Sequence, residues 1–146
     1  MKLLFPLILL SVLVSSPEWF TDFNKAQQEA VEGKKFILLN FSGSDWCGPC
    51  IMMRKEIFDS DAFNNYAAEH LVLVRADFPR YKKNKLSKEQ TRQNEALADK
   101  YNKEGKFPFT VLMNSEGKVL KEWEGLPQES AELFVAEIKK MCNGRD

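Results

Sequence analysis

The sequence predicts an α/β domain in which a central mixed β-sheet is flanked by helices. Three observations predict it. The apolar runs Phe36-Ile37-Leu38-Leu39-Asn40-Phe41 and Leu71-Val72-Leu73-Val74 read as strands buried on both faces, the pattern of parallel neighbours joined by a helical crossover. Between and around them lie stretches with helical periodicity. The segment Asn114-Ser115-Glu116-Gly117 reads as the turn of a hairpin between Val111-Leu112-Met113 and Val119-Leu120-Lys121, which adds antiparallel pairing. A chain of 146 residues, 44% hydrophobic and 12% aromatic, suffices for one domain with its own core.

Taken in order, the chain opens on Met1-Lys2 and an apolar run from Leu3 to Val14. This is signal-peptide length and is short of the roughly 20 apolar residues that span a bilayer. Residues 1–16 are therefore read as a signal peptide or a short N-terminal anchor, and 17–146 as the folded domain. No cysteine follows closely enough to suggest lipidation. Thr21 can cap a first helix that buries Phe23, Ala26 and Ala30 and ends near Gly33. The strand at 36–41 follows, then a helix from Cys47 to Phe58 with Met53 and Ile57 on the face of Cys50. Ser60 starts a further helix carrying Phe63, Tyr66 and Ala67, and the second strand follows.

Pro79-Arg80-Tyr81-Lys82-Lys83-Asn84-Lys85 is the longest surface insertion. A charge run of this kind is usually a solvated face; the sharper reading is a docking patch for an acidic partner. Ser87 with Gln90 forms a capping box, so a helix runs from there to Tyr101 with Ala96, Leu97 and Tyr101 inward. The last helix is expected from near Pro127. Its stripe of Ala131, Phe134, Ile138, Met141 and Cys142 packs on the sheet, which makes Cys142 a core residue rather than a reactive thiol. His70, the single histidine, reads as a surface residue ending a helix.

Lysine plus arginine and aspartate plus glutamate both number 21, and no basic stripe with stacking aromatics is present, which excludes nucleic-acid binding. The chemistry lies in Trp46-Cys47-Gly48-Pro49-Cys50, two thiols one helical turn apart after an apolar strand. Cys47 falls at a helix N-terminus, where unpaired N–H groups and the macrodipole favour thiolate, lowering its pKa from about 8.5 toward roughly 7 or below. It is the expected nucleophile. Cys50, one turn further in, is the expected resolving thiol. Pro49 stiffens the turn, Gly48 leaves the approach to Cys47 open, and Trp46 is a wall beside it. A structural zinc would need four ligands, and only Cys142 and His70 could join the pair, so no metal is expected. A purely structural disulfide closing so short a loop would constrain the unfolded chain little.

At these residues the chain resembles the thioredoxin superfamily, whose reductases carry the same Trp-Cys-Gly-Pro-Cys string. The likeness extends to Phe107-Pro108-Phe109-Thr110, where the family places a cis-proline before the strand that faces the dithiol. It implies a thioredoxin fold with a Lys-rich insertion before the cis-Pro strand. It also implies that Phe107, Pro108 and Phe109, with Trp46, Gly48 and Pro49, line the substrate groove. Phe41-Ser42-Gly43-Ser44-Asp45-Trp46-Cys47 and Asp77-Phe78-Pro79 look most like small exported disulfide reductases of the bacterial cell envelope, which implies a periplasmic location.

Two departures from the cytosolic pattern stand out. The family's buried strand aspartate corresponds to Asn40 once one extra residue before Trp46 is allowed, and an amide cannot act as a base. Asp45, nearer the dithiol in sequence and on the loop, is then a candidate proton relay, with water as the alternative route. Phe107 and Phe109 are also bulkier than the usual neighbours of the cis-proline. The expected activity is reduction of protein disulfides by a monomer with no cofactor beyond the cysteine pair, kept reduced by a membrane electron donor. An oxidase or isomerase, or a client-binding module without turnover, are the alternatives.

Overall fold

The computed structural model describes residues 16–144; the signal or anchor segment falls almost wholly outside them. Five strands form one sheet in the order β1-β3-β2-β4-β5. They are β1 (Trp19–Phe20), β2 (Phe36–Ser42), β3 (Leu71–Asp77), β4 (Phe109–Met113) and β5 (Val119–Glu124). The pairs β1/β3 and β2/β3 are parallel, while β2/β4 and β4/β5 are antiparallel, so the sheet is mixed as expected. Among the described residues no helix is long and apolar enough to cross a membrane.

Alternation along the central strands feeds two cores. Leu38, Leu73 and Leu112 point to one face, beneath α2 (Gly48–Met53), α3 (Asp61–His70) and α5 (Ala131–Asn143). Ile37, Leu39, Val72, Val74 and Val111 point to the other, beneath α1 (Phe23–Gly33) and α4 (Lys88–Tyr101). Cys142 lies in the first core and is 5% exposed. His70 is the exposed end of α3 and stacks on Tyr66.

Several details differ from the sequence expectation. Asp22, not Thr21, caps α1: its carboxylate accepts the N–H groups of Asn24 and Lys25, a charge-assisted bond that a threonine hydroxyl cannot match. The helix after Cys47 stays α-helical only to Met53 and continues through Arg54–Phe58 as a wider π turn, which still seats Ile57 and Phe58 in the core. Ser87 caps α4 through the Gln90 N–H, but the Gln90 amide turns away to Thr21 O and Asn94, so only half of the capping box forms. Ala96 is exposed, and the inward position belongs to Asn94, whose amide donates to the carbonyl of Asp77. α5 begins at Ala131, later than Pro127, because Ser130 supplies the cap to the Leu133 N–H.

Candidate active site

β2 delivers the chain to the edge of the sheet, and residues 43–46 turn it into α2. Gly43 leaves the room that this turn needs: a Cβ there would run into the Trp46 ring. The Gly43 carbonyl accepts the N–H of Cys47 at 2.9 Å. Cys47 is the N-cap of α2, with extended backbone, and its Sγ accepts the N–H of Cys50 at 3.3 Å. The two cysteines form a disulfide, so this is the oxidised state. Gly48 and Pro49 are the first residues of the helix, and both are exposed. Nothing lies within 4 Å of a Cβ built on Gly48, which leaves that side of the pair open. The pair itself is more enclosed than the sequence suggests, with Cys47 5% and Cys50 4% exposed.

The Phe107–Pro108 bond is cis. Asn102, itself buried, holds the loop before it with both ends of its amide: Nδ2 donates to Lys106 O at 2.8 Å, and Oδ1 accepts the Lys106 N–H at 2.9 Å. On the other side of the bond, the Pro108 carbonyl accepts the Gly125 N–H. Phe107 then packs edge-on against Trp46, with ring centroids 5.5 Å apart, and against Phe78 at 5.4 Å. The proline loop and the dithiol loop are thereby brought together. Phe109 is buried in the second core against Phe41, so its side chain faces the core and not the cysteine pair's surface.

Trp46 is fixed from three directions. Its Nε1 donates to the Phe78 carbonyl at 2.7 Å, Phe107 meets its edge, and the Arg80 guanidinium lies over its ring at 3.6 Å. Asp45 faces away from the pair, into the insertion. Its Oδ1 accepts the Arg80 N–H, and its Oδ2 accepts the Tyr81 N–H and the Asn84 amide, each at 2.9 Å. Partial desolvation works to raise the Asp45 carboxyl, but these donors outweigh it and hold the group below its ordinary value. Ser44 is tied likewise to the Asp77 carboxylate.

In β2, buried Asn40 donates to Thr110 Oγ1 at 3.0 Å, and that hydroxyl contacts Met53 Sδ in the dithiol helix. Asn40, Thr110 and Met53 thus form a neutral buried network. Gly43, Phe78, Arg80 and Asn102 were not singled out as site residues by sequence reasoning. Gly43 and Phe78 lie in the strings that carried the resemblance and Arg80 in the basic segment, but their contacts with Trp46 are not displayed by the sequence; Asn102 carried no signal.

A cysteine pair at a helix N-terminus, packed beside a cis-proline loop on this sheet, defines a thiol-disulfide oxidoreductase of the thioredoxin fold. A family model of the thioredoxin-like domain matches residues 23–141, and the chain belongs to that family. It is 33% identical over 128 residues to the disulfide bond reductase DsbH of Chlamydia pneumoniae, a match covering 88% of this chain and 74% of that protein. It is 35% identical over 99 residues to the thioredoxin-related protein DsbJ of the same organism, where the match covers 67% of this chain but 27% of DsbJ. A solved structure of a DsbH oxidoreductase matches with a TM-score of 0.80 at 33% identity, over 90% of this chain and 88% of that one. A poplar thioredoxin h matches at 0.58 and 15% identity, over 88% and 98%, a likeness of fold alone.

Proposed function

We propose that the chain is an exported reductase of protein disulfides acting in the cell envelope. The observation that carries this reading is the Cys-Gly-Pro-Cys pair at the start of α2, with an N–H aimed at Cys47 Sγ and an open flank at Gly48. The reducing direction draws on the Gly-Pro spacer and on the likeness to DsbH. In the dithiol form, Cys47 thiolate attacks one sulfur of a substrate disulfide and expels the other as a thiolate. Cys50 thiolate then attacks Cys47 Sγ in the mixed disulfide, forms the Cys47–Cys50 bond and releases the second substrate thiolate. Two electrons pass to the substrate, and its thiolates take up protons.

Substrate backbone lies along Phe107–Pro108, with Trp46, Gly48 and Pro49 forming the opposite wall and Phe109 supporting the strand. The proton route runs through water. Both Asp45 oxygens are committed to the insertion and its lowered pKa makes it a weak base, so we assign it to anchoring instead of relay. The protein works as a monomer and is returned to the dithiol by a membrane-bound electron donor. The test is insulin reduction together with the equilibrium potential of the pair. Expected are turnover abolished by Cys47→Ser and a potential below about −230 mV; a value of roughly −120 to −150 mV would make the protein an oxidant.

A further inference from the structure

The insertion is built as a fixed platform, which a merely solvated charge run does not require. Asp45 binds two of its backbone N–H groups and the Asn84 side chain, and a short 3-10 turn at Lys82–Asn84 closes on Tyr81 O and Lys82 O. Between residues 79 and 92 stand Arg80, Lys82, Lys83, Lys85, Lys88 and Arg92 against a single acid, Glu89. All six basic residues are exposed, and among the described residues none of them is in an ion pair. In a chain of zero net charge this is segregated charge.

The platform also adjoins the site. A cleft of about 240 Å³ lies against Phe78, Pro79 and Leu86, and a second of about 370 Å³ continues past Leu86 to Lys88 and Arg92. Lys85, Leu86 and Thr91 line both, so they form one trough. Its near end is the Phe78 segment that holds Trp46, the residue before Cys47. We infer that this trough is a substrate-selecting surface, which seats an acidic segment next to the target disulfide of a client protein. This rests on the disulfide-exchange reading of the site and adds the substrate class. Carboxylates would meet lysines presented from an already ordered backbone, so less ordering is lost on docking than with a mobile loop.

The test uses peptides closed by one disulfide and flanked by glutamate, serine or lysine, with the dithiol form of the chain as reductant. For the unaltered chain, kcat/KM is expected to be about tenfold higher for the glutamate-flanked peptide than for the lysine-flanked one at low ionic strength, with the gap closing as salt is added. The variant Lys85→Glu/Lys88→Glu/Arg92→Glu, all three lining the trough, should invert the preference. These side chains make no hydrogen bond or ion pair among the described residues, so the fold does not depend on them. Equal rates with all three peptides, at any ionic strength, would overturn the surface and leave the reductase standing. No turnover with any peptide would overturn the reductase. The surface would then be judged by fluorescence anisotropy of a glutamate-rich peptide: binding lost in the triple variant supports it, and no binding to the unaltered chain removes it.

Discussion

At the scale of single residues, the three cysteines are separated by environment. Cys47 sits where helix N–H groups converge, whereas burial pushes the Cys142 thiol up, with the Tyr66 hydroxyl only partly offsetting it. In the reduced protein at neutral pH, iodoacetamide should therefore modify Cys47 far faster than Cys142, and mass spectrometry of timed samples reads this directly; equal rates would remove the nucleophile assignment. A thiol whose folded pKa lies above its ordinary value stabilises the fold fully below that ordinary value, and the contribution falls as pH rises through the folded value. Cys142→Ala should flatten this alkaline loss while costing about 1–2 kcal/mol through a small cavity, with disulfide reduction retained. Gly43→Ala tests the turn. The added methyl would strike the Trp46 ring, so a loss of about 1–3 kcal/mol in denaturant unfolding is expected, together with slower turnover.

At the scale of elements, the two loops around the dithiol depend on buried or anchored polar groups. Asn102→Ala removes both bonds to the Lys106 backbone, and about 1–3 kcal/mol of stability should go with them. Because the freed segment carries Phe107–Pro108, KM for a peptide disulfide should rise while the alkylation rate of Cys47 stays put; an unchanged KM would deny the loop its substrate role. The Asp45 anchor has the opposite pH sense from Cys142. Its folded pKa lies below the ordinary 3.8, so its contribution is complete above that value and vanishes as pH falls through the folded value. Amide exchange at Arg80 and Tyr81, corrected for intrinsic rates, should accelerate over that acid range, and Asp45→Ala should show the fast exchange at every pH. Element boundaries were legible where one strong signal governed them, as at Ser60 and Ser87. They slipped at the starts of α1 and α5, where Asp22 and Ser130 supply the caps beyond the expected Thr21 and Pro127. Inward faces chosen by apolar identity missed Asn94, because a buried amide with a backbone partner costs little, and this cannot be seen without the partner.

At the scale of the whole molecule, the sheet and the cysteine pair were readable because they are written locally: runs buried on both faces, a hairpin turn and five consecutive residues. The surroundings of the pair were readable only in outline, since Phe109 faces the core and Trp46 owes its position to Gly43, Phe78 and Arg80, distant in sequence or lacking a side chain to notice. The way Asp45 and the 79–85 segment interlock has a consequence for protein engineering. Asp45 and the basic 79–85 segment are a lock and its key, and neither is a portable module alone. A minimal thioredoxin given only the 79–85 segment would receive a floppy appendage, and one given only the aspartate would carry a carboxylate with nothing to grip. Transplanted together with Gly43, they should transfer as a single cassette, so that client preference could be moved between redox scaffolds without touching the cysteines.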